Sequence, residues 1–147
     1  MAVSYKSGDR AGHSVALVHL LDDEARDLFA GPNIAHIATL LPDGGPHSAP
    51  MMIDVEGEYL AFFTSPNSRK ARNLAADDRV AISVAHRENL VRSALVRGRV
   101  VERVGGEAGW QIVDRIFAKY TGGPYPRGED REAFLVAPTH VRVPTFG

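Results

Sequence analysis

The chain contains no cysteine among its 147 residues. Disulfide bonds, thiol catalysis and cysteine-ligated zinc are therefore excluded. It also lacks any apolar run of the roughly 18 residues that a membrane-spanning helix requires. Neither sign of charge is in excess, because 17 basic and 18 acidic side chains leave a net charge of -1. This balance gives no indication of general nucleic-acid binding.

Several motifs of catalysis and nucleotide binding are also missing. The sequence has no Gly-x-Ser-x-Gly, no Gly-x-x-x-x-Gly-Lys and no Gly-x-Gly-x-x-Gly. These absences argue against a serine hydrolase, a phosphate-binding loop and a Rossmann dinucleotide site. The six histidines are scattered, without a His-Glu-x-x-His pair, so we expect no metal site.

The length and composition are those of one globular domain. Residues 1–14 are polar and contain two glycines, and we expect a mobile N-terminal segment there. Residues 15–147 then form a single domain. The apolar stretch from Val15 to Leu21 is short and runs into acidic residues rather than a cleavage site. We therefore expect no signal peptide and a cytoplasmic location.

Hydrophobic periodicity and turn residues predict a mainly β fold. Helices are expected from Asp22 or Asp23 to Phe29, after Ser68, and over residues 107–120; strands are expected over residues 34–41, 46–55, 58–64, 79–85, 93–104, 134–136 and 140–143. Hairpin connections make the six or seven strands largely antiparallel. Because strand 58–64 is apolar on both faces, we expect a small barrel whose outer wall is covered by a helix or a second subunit.

The stretch from Thr64 to Leu74 carries the strongest functional signal. It reads Thr-Ser-Pro-Asn-Ser-Arg-Lys-Ala-Arg-Asn-Leu, so an apolar strand runs into a hydroxyl-rich turn and then a helix. Ser68 is suited to cap that helix, which places Arg69 and Lys70 in its first turn. Cations there oppose the helix dipole, and a bound phosphate would resolve the conflict. The alternative is a solvated helix start with incidental charge.

Two other segments each allow a functional and a structural interpretation. The strand around Pro50 cannot donate a hydrogen bond at the proline, which is typical of an edge strand or of backbone that faces a flat ring. The loop Thr121-Gly-Gly-Pro-Tyr-Pro-Arg127 is either a lid that carries Tyr125 and Arg127 or an irregular connection after a helix.

The chain resembles the split β-barrel flavin and deazaflavin oxidoreductases of the pyridoxamine 5′-phosphate oxidase-like superfamily, and within it the actinobacterial F420-dependent branch. The likeness covers roughly residues 22–143. It is carried by residues 34–50 (Ile-Ala-His-Ile-Ala-Thr-Leu-Leu-Pro-Asp-Gly-Gly-Pro-His-Ser-Ala-Pro), 62–74 (Phe-Phe-Thr-Ser-Pro-Asn-Ser-Arg-Lys-Ala-Arg-Asn-Leu), 96–100 (Val-Arg-Gly-Arg-Val) and 119–127 (Lys-Tyr-Thr-Gly-Gly-Pro-Tyr-Pro-Arg).

The resemblance implies an FMN-binding split barrel that forms a homodimer with cofactor sites at the interface. The cofactor phosphate would be held by Thr64, Ser65, Arg69 and Lys70, with Ser68 and Asn73 close by. The isoalloxazine or deazaflavin ring would lie along the backbone of the strand that contains Ser48, Pro50 and Met51. Tyr125 and Arg127 would border the substrate pocket, and with His47 they are candidates to stabilise a reduced substrate anion.

The chain departs from true pyridoxamine phosphate oxidases at positions of their cofactor and substrate motifs. Pro50 and Val55 stand where those enzymes have an arginine and a lysine, and the C-terminal Arg-x-His signature is absent. The resemblance therefore implies an F420-dependent oxidoreductase that transfers a hydride to an electron-poor small molecule. The alternatives are an FMN-dependent enzyme of the same fold, a flavin or F420 store or sensor without turnover, and a regulatory protein that has lost the cofactor.

Overall fold

The computed structural model describes residues 20–145, and the expected mobile segment over residues 1–14 lies outside them. This part of the chain forms three helices and seven strands. The helices are α1 (Asp23–Ala30), α2 (Arg69–Ala76) and α3 (Gly106–Thr121), and the strands are β1 (Ala35–Leu40), β2 (Pro46–Met51), β3 (Ile53–Glu56), β4 (Tyr59–Thr64), β5 (Arg79–Ala85), β6 (Ser93–Val104) and β7 (Glu132–Arg142).

All seven strands belong to one antiparallel sheet, in the order β2-β1-β5-β6-β7-β4-β3. The two edge strands, β2 and β3, are consecutive in the chain and are separated by the single residue Met52. The sheet must therefore curl until its two ends meet at this corner. The predicted mainly β, antiparallel split barrel is confirmed.

Two strand boundaries differ from those predicted. The single strand expected over residues 46–55 is two strands, because the chain crosses from one edge of the sheet to the other at Met52. Met51 packs against the interior cluster, whereas Met52 packs against the outer cluster below α3. The two closing strands expected over residues 134–136 and 140–143 are one strand, β7, which continues through a register shift opposite Gly98. A Cβ at Gly98 would collide with the Ala137 carbonyl oxygen.

The main core fills the inside of the curled sheet. Alternate residues of the strands point inward, as their burial patterns show, and α1 and α2 add buried side chains from outside the sheet. Phe62 and Phe134 stack at the centre, with ring centroids 5.2 Å apart. Strand β4 is buried on both faces, as predicted, and its second face lies under α3, which packs Ile112, Val113 and Ile116 against it. A helix thus covers the outer wall at β4.

The β3 edge of the sheet is closed by side chains of α3 rather than by another strand. The Tyr120 hydroxyl donates to the Asn33 carbonyl oxygen at 2.7 Å and accepts from the Ile53 N–H at 3.1 Å. Lys119 Nζ donates to the carbonyl oxygens of Ile53 at 2.6 Å and Phe29 at 3.0 Å. Edge groups that could pair with another chain are therefore already bonded.

Candidate functional site

The hydroxyl-rich turn between β4 and α2 is built around Ser68. Ser68 has an extended backbone (φ -66°, ψ 165°), and its Oγ accepts from the Ala71 N–H at 3.1 Å, so the predicted N-cap is confirmed. Thr64 Oγ1 donates to Ser68 Oγ at 3.0 Å. Ser65 Oγ accepts from the Asn67 N–H at 3.3 Å. Three hydroxyl groups therefore converge on the start of α2.

The first turn of α2 is cationic and has no acidic residue to balance the dipole. Among residues 20–145, neither Arg69 nor Lys70 takes part in an ion pair with a carboxylate. Burial lowers the pKa of Lys70 below its ordinary value. The Nε of Arg69 is buried without a hydrogen-bond partner. Two partly desolvated cations beside free helix N–H groups fit a phosphate.

A residue that the sequence analysis missed holds this turn in place. Arg103 Nη2 donates to the Pro66 carbonyl oxygen at 3.2 Å and forms an ion pair of 2.6 Å with Glu132. Its guanidinium lies over the Phe134 ring, 4.8 Å from the centroid. Arg103 is 37 positions from Pro66, and no local pattern marks the contact.

Asn73 shares a helix face with Arg69, as its spacing predicts, but its amide points towards β1. Asn73 is only 2% exposed, and its Nδ2 donates to Thr39 Oγ1 at 3.0 Å. Arg69 and Asn73 both line a crevice of about 270 Å³ between α2 and the β1–β2 hairpin. The structure therefore places Asn73 behind the helix start rather than among the hydroxyl groups.

The candidate cofactor and substrate residues on β2 lie on two opposite faces of the strand. Ser48 and Pro50 are exposed on the outward face, whereas Met51 is half-buried against the core. His47 is half-buried on the opposite face, beside its ladder partner Thr39. Strand β2 is an edge strand, so one side of its backbone has no neighbouring strand. A proline, which has no N–H to donate, is tolerated in such a strand. The edge-strand interpretation is thus confirmed, and a ring along this backbone stays a prediction.

The outward face of β1, β2, β5, β6 and β7 forms a hollow of about 760 Å³. His36 lies exposed on this face, whereas its neighbours Ala35 and Ile37 are fully buried. Arg97 and Arg99 lie on the same face of β6, and a second hollow of about 480 Å³ adjoins them. This surface was not predicted, although the alternation in Val-Arg-Gly-Arg-Val (residues 96–100) is a signal for it.

The loop after α3 is fastened to that helix. Arg127 makes a two-pronged ion pair with Asp114, at 2.9 and 2.8 Å, and its guanidinium stacks 3.8 Å from the Trp110 ring centroid. The hydrogen bond from Arg127 lowers the pKa of Asp114. The Tyr125 ring meets Phe63 edge-on at 5.4 Å. This geometry favours a fixed connection rather than a lid. Through Tyr125, the loop contacts the outer side of β4, the strand that ends at Thr64.

Within residues 20–145, no group of three histidine or acidic side chains comes close enough to hold a metal ion. None of the helices in this range has the length and apolar character needed to cross a membrane.

The single antiparallel sheet of seven strands, curled until its edge strands meet, is a split β-barrel. A family model described as pyridoxamine 5′-phosphate oxidase matches residues 21–143. The chain therefore belongs to the pyridoxamine 5′-phosphate oxidase family. The predicted family is confirmed, and it supports an oxidoreductase of the flavin or F420 type.

Solved structures support the same assignment. An F420 reductase shares 32% identity with this chain at a TM-score of 0.72, over 80% of this chain and 94% of the reductase. A conserved hypothetical protein of Mycobacterium tuberculosis, Rv2991, is 24% identical with a TM-score of 0.71, over 87% and 86%. HupZ of Group A Streptococcus is 15% identical with a TM-score of 0.65, over 84% and 94%. The last two show the fold alone. No curated protein matches the sequence significantly.

Proposed function

We propose that the protein is an F420-dependent oxidoreductase that transfers a hydride between the deazaflavin and an electron-poor small molecule. The observation that carries this proposal is the start of α2, where Arg69 and Lys70 face the positive end of the helix without an acidic counter-charge. The family supports a flavin-type cofactor, and the similarity to an F420 reductase favours the deazaflavin.

The residues at the start of α2 are suited to hold the cofactor phosphate. Arg69 and Lys70 would supply charge, and the hydroxyl groups of Ser65 and Ser68, whose oxygens accept bonds within the turn, would donate short hydrogen bonds. Thr64 would orient the Ser68 hydroxyl, to which it donates. The outward side of β2, with Ser48 and Pro50, offers exposed backbone along which a flat ring could lie. The bound cofactor supplies the hydride chemistry, and the protein supplies position and exclusion of water.

The candidates for stabilising a reduced substrate differ in how far they are engaged already. Arg127 is held by Asp114, and the Tyr125 hydroxyl accepts from Arg131 Nε at 3.1 Å. His47 Nδ1 is buried without a hydrogen-bond partner. We assign no side chain as proton donor or acceptor, because His47 lies on the face of β2 opposite to Ser48 and Pro50 and the other two groups already have partners.

Cofactor titration tests the proposal directly. The purified protein is examined by absorbance, and F420 and FMN are then titrated separately with fluorescence detection. Reduced F420 is next offered with enones, quinones and tetrapyrroles. F420 binding with turnover supports the proposal, whereas FMN binding alone selects the FMN-dependent alternative. Tight binding without turnover of any acceptor selects a store or sensor, and absence of binding by both cofactors rejects all three functions.

We further propose that the outward face of the sheet is covered by a second copy of the chain. The large apolar side chains exposed among residues 20–145 are Ile34, Leu90, Val91 and Leu95. Leu95 lies on the outward face, and Ile34 directly precedes β1. The loop with the other two joins β5 and β6 at the same end of the sheet. An apolar cluster beside a hollow of about 760 Å³ favours an interface.

A charge placed on this face is expected to separate the subunits. Leu95 is 46% exposed, next to Arg97 and Arg142 in the hollow. Leu95→Arg would bury an unpaired cation at the interface, so a dimeric parent should become monomeric in sedimentation velocity. Ala118→Arg adds the same charge to the exposed side of α3 and should leave the dimer intact. A monomeric parent, or equal dissociation of both variants, contradicts the proposal.

The affinity for phosphate is expected to depend on pH through Lys70. Burial lowers its pKa in the free protein, and a bound anion favours the ammonium form and raises that pKa again. Binding therefore takes up protons, and affinity for pyrophosphate should be full below the free-state pKa and fall as pH rises through it. Calorimetry across alkaline pH measures the slope. In Lys70→Met the slope should be reduced, and an unchanged slope would assign the titration to another group.

A further inference from the structure

Three buried side-chain atoms in residues 20–145 have no hydrogen-bond partner, and two of them belong to residues that pair with or bond to Thr39. They are His47 Nδ1, Arg69 Nε and Asn73 Oδ1. Thr39 is the ladder partner of His47 and accepts the Asn73 Nδ2 hydrogen bond at 3.0 Å. Arg69 precedes Asn73 by one helical turn and lines the same crevice.

The relation of these three residues to one another indicates that a single further group hydrogen-bonds to all three atoms. Buried polar atoms without partners are rare and cost stability, so isolated cases would be expected at separate places. Here two come from α2, one helical turn apart, and the third comes from His47 on β2. His47 pairs with the same threonine, 2% exposed, that the Asn73 amide contacts. One of the three belongs to the cation that faces the proposed phosphate site.

The hydrogen-bonding roles of the three atoms select the kind of partner. Arg69 Nε only donates, while Asn73 Oδ1 only accepts when the amide is oriented with Nδ2 towards Thr39. His47 Nδ1 donates or accepts according to its tautomer. A phosphate oxygen cannot donate to Asn73, whereas a water molecule can accept from Arg69 and donate to the other two. Buried waters typically make about three such bonds.

We propose that Thr39, His47 and Asn73 are positioning residues for Arg69, connected to its Nε through one buried water molecule. This inference rests on the proposed phosphate site. The water molecule would hold the guanidinium through Nε, which leaves both terminal nitrogens available to bind the anion. Because the side chain is fixed before binding, less conformational entropy is lost when the anion arrives. The position of the β1–β2 hairpin is thereby linked to anion affinity.

Two substitutions at His47 test the arrangement, with pyrophosphate as the probe in calorimetry. His47→Leu removes the polar atom and should weaken binding about tenfold, as expected for one net hydrogen bond. His47→Asn places an amide atom near the position of Nδ1 and should bind within about twofold of the parent. His86→Leu, in the loop at the far end of β5, should bind as the parent does. If His47→Leu does not fold, Thr39→Val should show the same loss.

The outcomes separate this inference from the proposed function. If His47→Leu lowers the melting temperature but binds pyrophosphate as tightly as the parent, the residue is merely structural and the inference is wrong. Failure of His47→Asn to restore affinity also overturns it, as does a parent that binds no pyrophosphate. A parent that binds F420 while His47→Leu binds equally well preserves the function and rejects the inference. If pyrophosphate binding depends on His47 but neither cofactor binds, the inference is preserved and the proposed function is rejected.

Discussion

Replacing Arg69 and Lys70 together by alanine is expected to weaken the binding of F420 and FMN by at least about a hundredfold. Hydrogen bonds to charged groups contribute roughly 1.5–3 kcal/mol each, and about 1.4 kcal/mol corresponds to a factor of ten. Both cations are partly buried, and neither has an ion-pair partner among residues 20–145, so an anion would gain their full attraction. Fluorescence titration of each cofactor measures the loss.

The controls for this double substitution use arginines outside the proposed contacts. Arg72→Ala removes a cation from the same helix, where its Nη1 donates to the Asn67 carbonyl oxygen at 3.0 Å. Arg87→Ala removes an exposed cation from the loop between β5 and β6. Arg87→Ala should bind as the parent does, and Arg72→Ala should lose much less than the double variant. Parental affinity in the Arg69 and Lys70 double variant would show that the phosphate lies elsewhere.

Phe134→Ala is expected to lower the free energy of unfolding by about 3–5 kcal/mol, as is usual for a large aromatic side chain in a core. Phe134 is fully buried, stacks on Phe62 at 5.2 Å and lies under the Arg103 guanidinium, 4.8 Å from its ring centroid. Its loss therefore leaves a cavity and also unseats the arginine that holds Pro66. Denaturant unfolding measures the stability, and cofactor titration under native conditions measures the effect on the turn.

Phe62→Ala is the matched variant, because it removes the other ring of the same pair. Phe62 is equally buried, and its stability loss should be similar. Of the two rings, only Phe134 contacts Arg103, so only Phe134→Ala should also weaken pyrophosphate binding when compared at a temperature where both variants are folded. A stability loss below about 1 kcal/mol in Phe134→Ala would mean that the site repacks without a cavity.

The local features of the fold and of the candidate site could be predicted from the sequence. Ser68 caps α2 where a hydroxyl residue precedes a helical pattern, and this motif needs only neighbouring residues. Strand β4 was recognisable as doubly covered because Leu60 and Phe62 alternate with Ala61 and Phe63. Family likeness then associated the helix start with a cofactor phosphate.

Features that depend on contacts between distant parts of the chain could not be predicted. The bond from Asn73 to Thr39 spans 34 positions, and the bond from Arg103 to Pro66 spans 37. No periodicity in either segment encodes its partner. The chain also crosses from one edge of the sheet to the other at Met52, and this crossing depends on the closed topology. Residues 46–55 contain no turn sequence that would predict two separate strands.

The exposure of His36 shows the limit of judging burial from neighbouring residues. Ala35 and Ile37 face the core, so a period of two places His36 on the other side, but the sequence does not say whether that side is covered. For β4 the second side lies under α3, whereas for β1 it lies in the open hollow. Which strands receive a helix is decided by the tertiary arrangement.

The position of β7 in the sheet has a consequence for the order in which the protein folds on the ribosome. The hairpin β3–β4 is joined to β6 only through β7, although β7 is the last of the seven strands to be synthesised. Until residues 132–142 emerge, the nascent chain holds two unconnected β units with open edges, which chaperones or neighbouring chains can capture. Completion of the barrel is therefore a late event, set by strand order rather than by local stability.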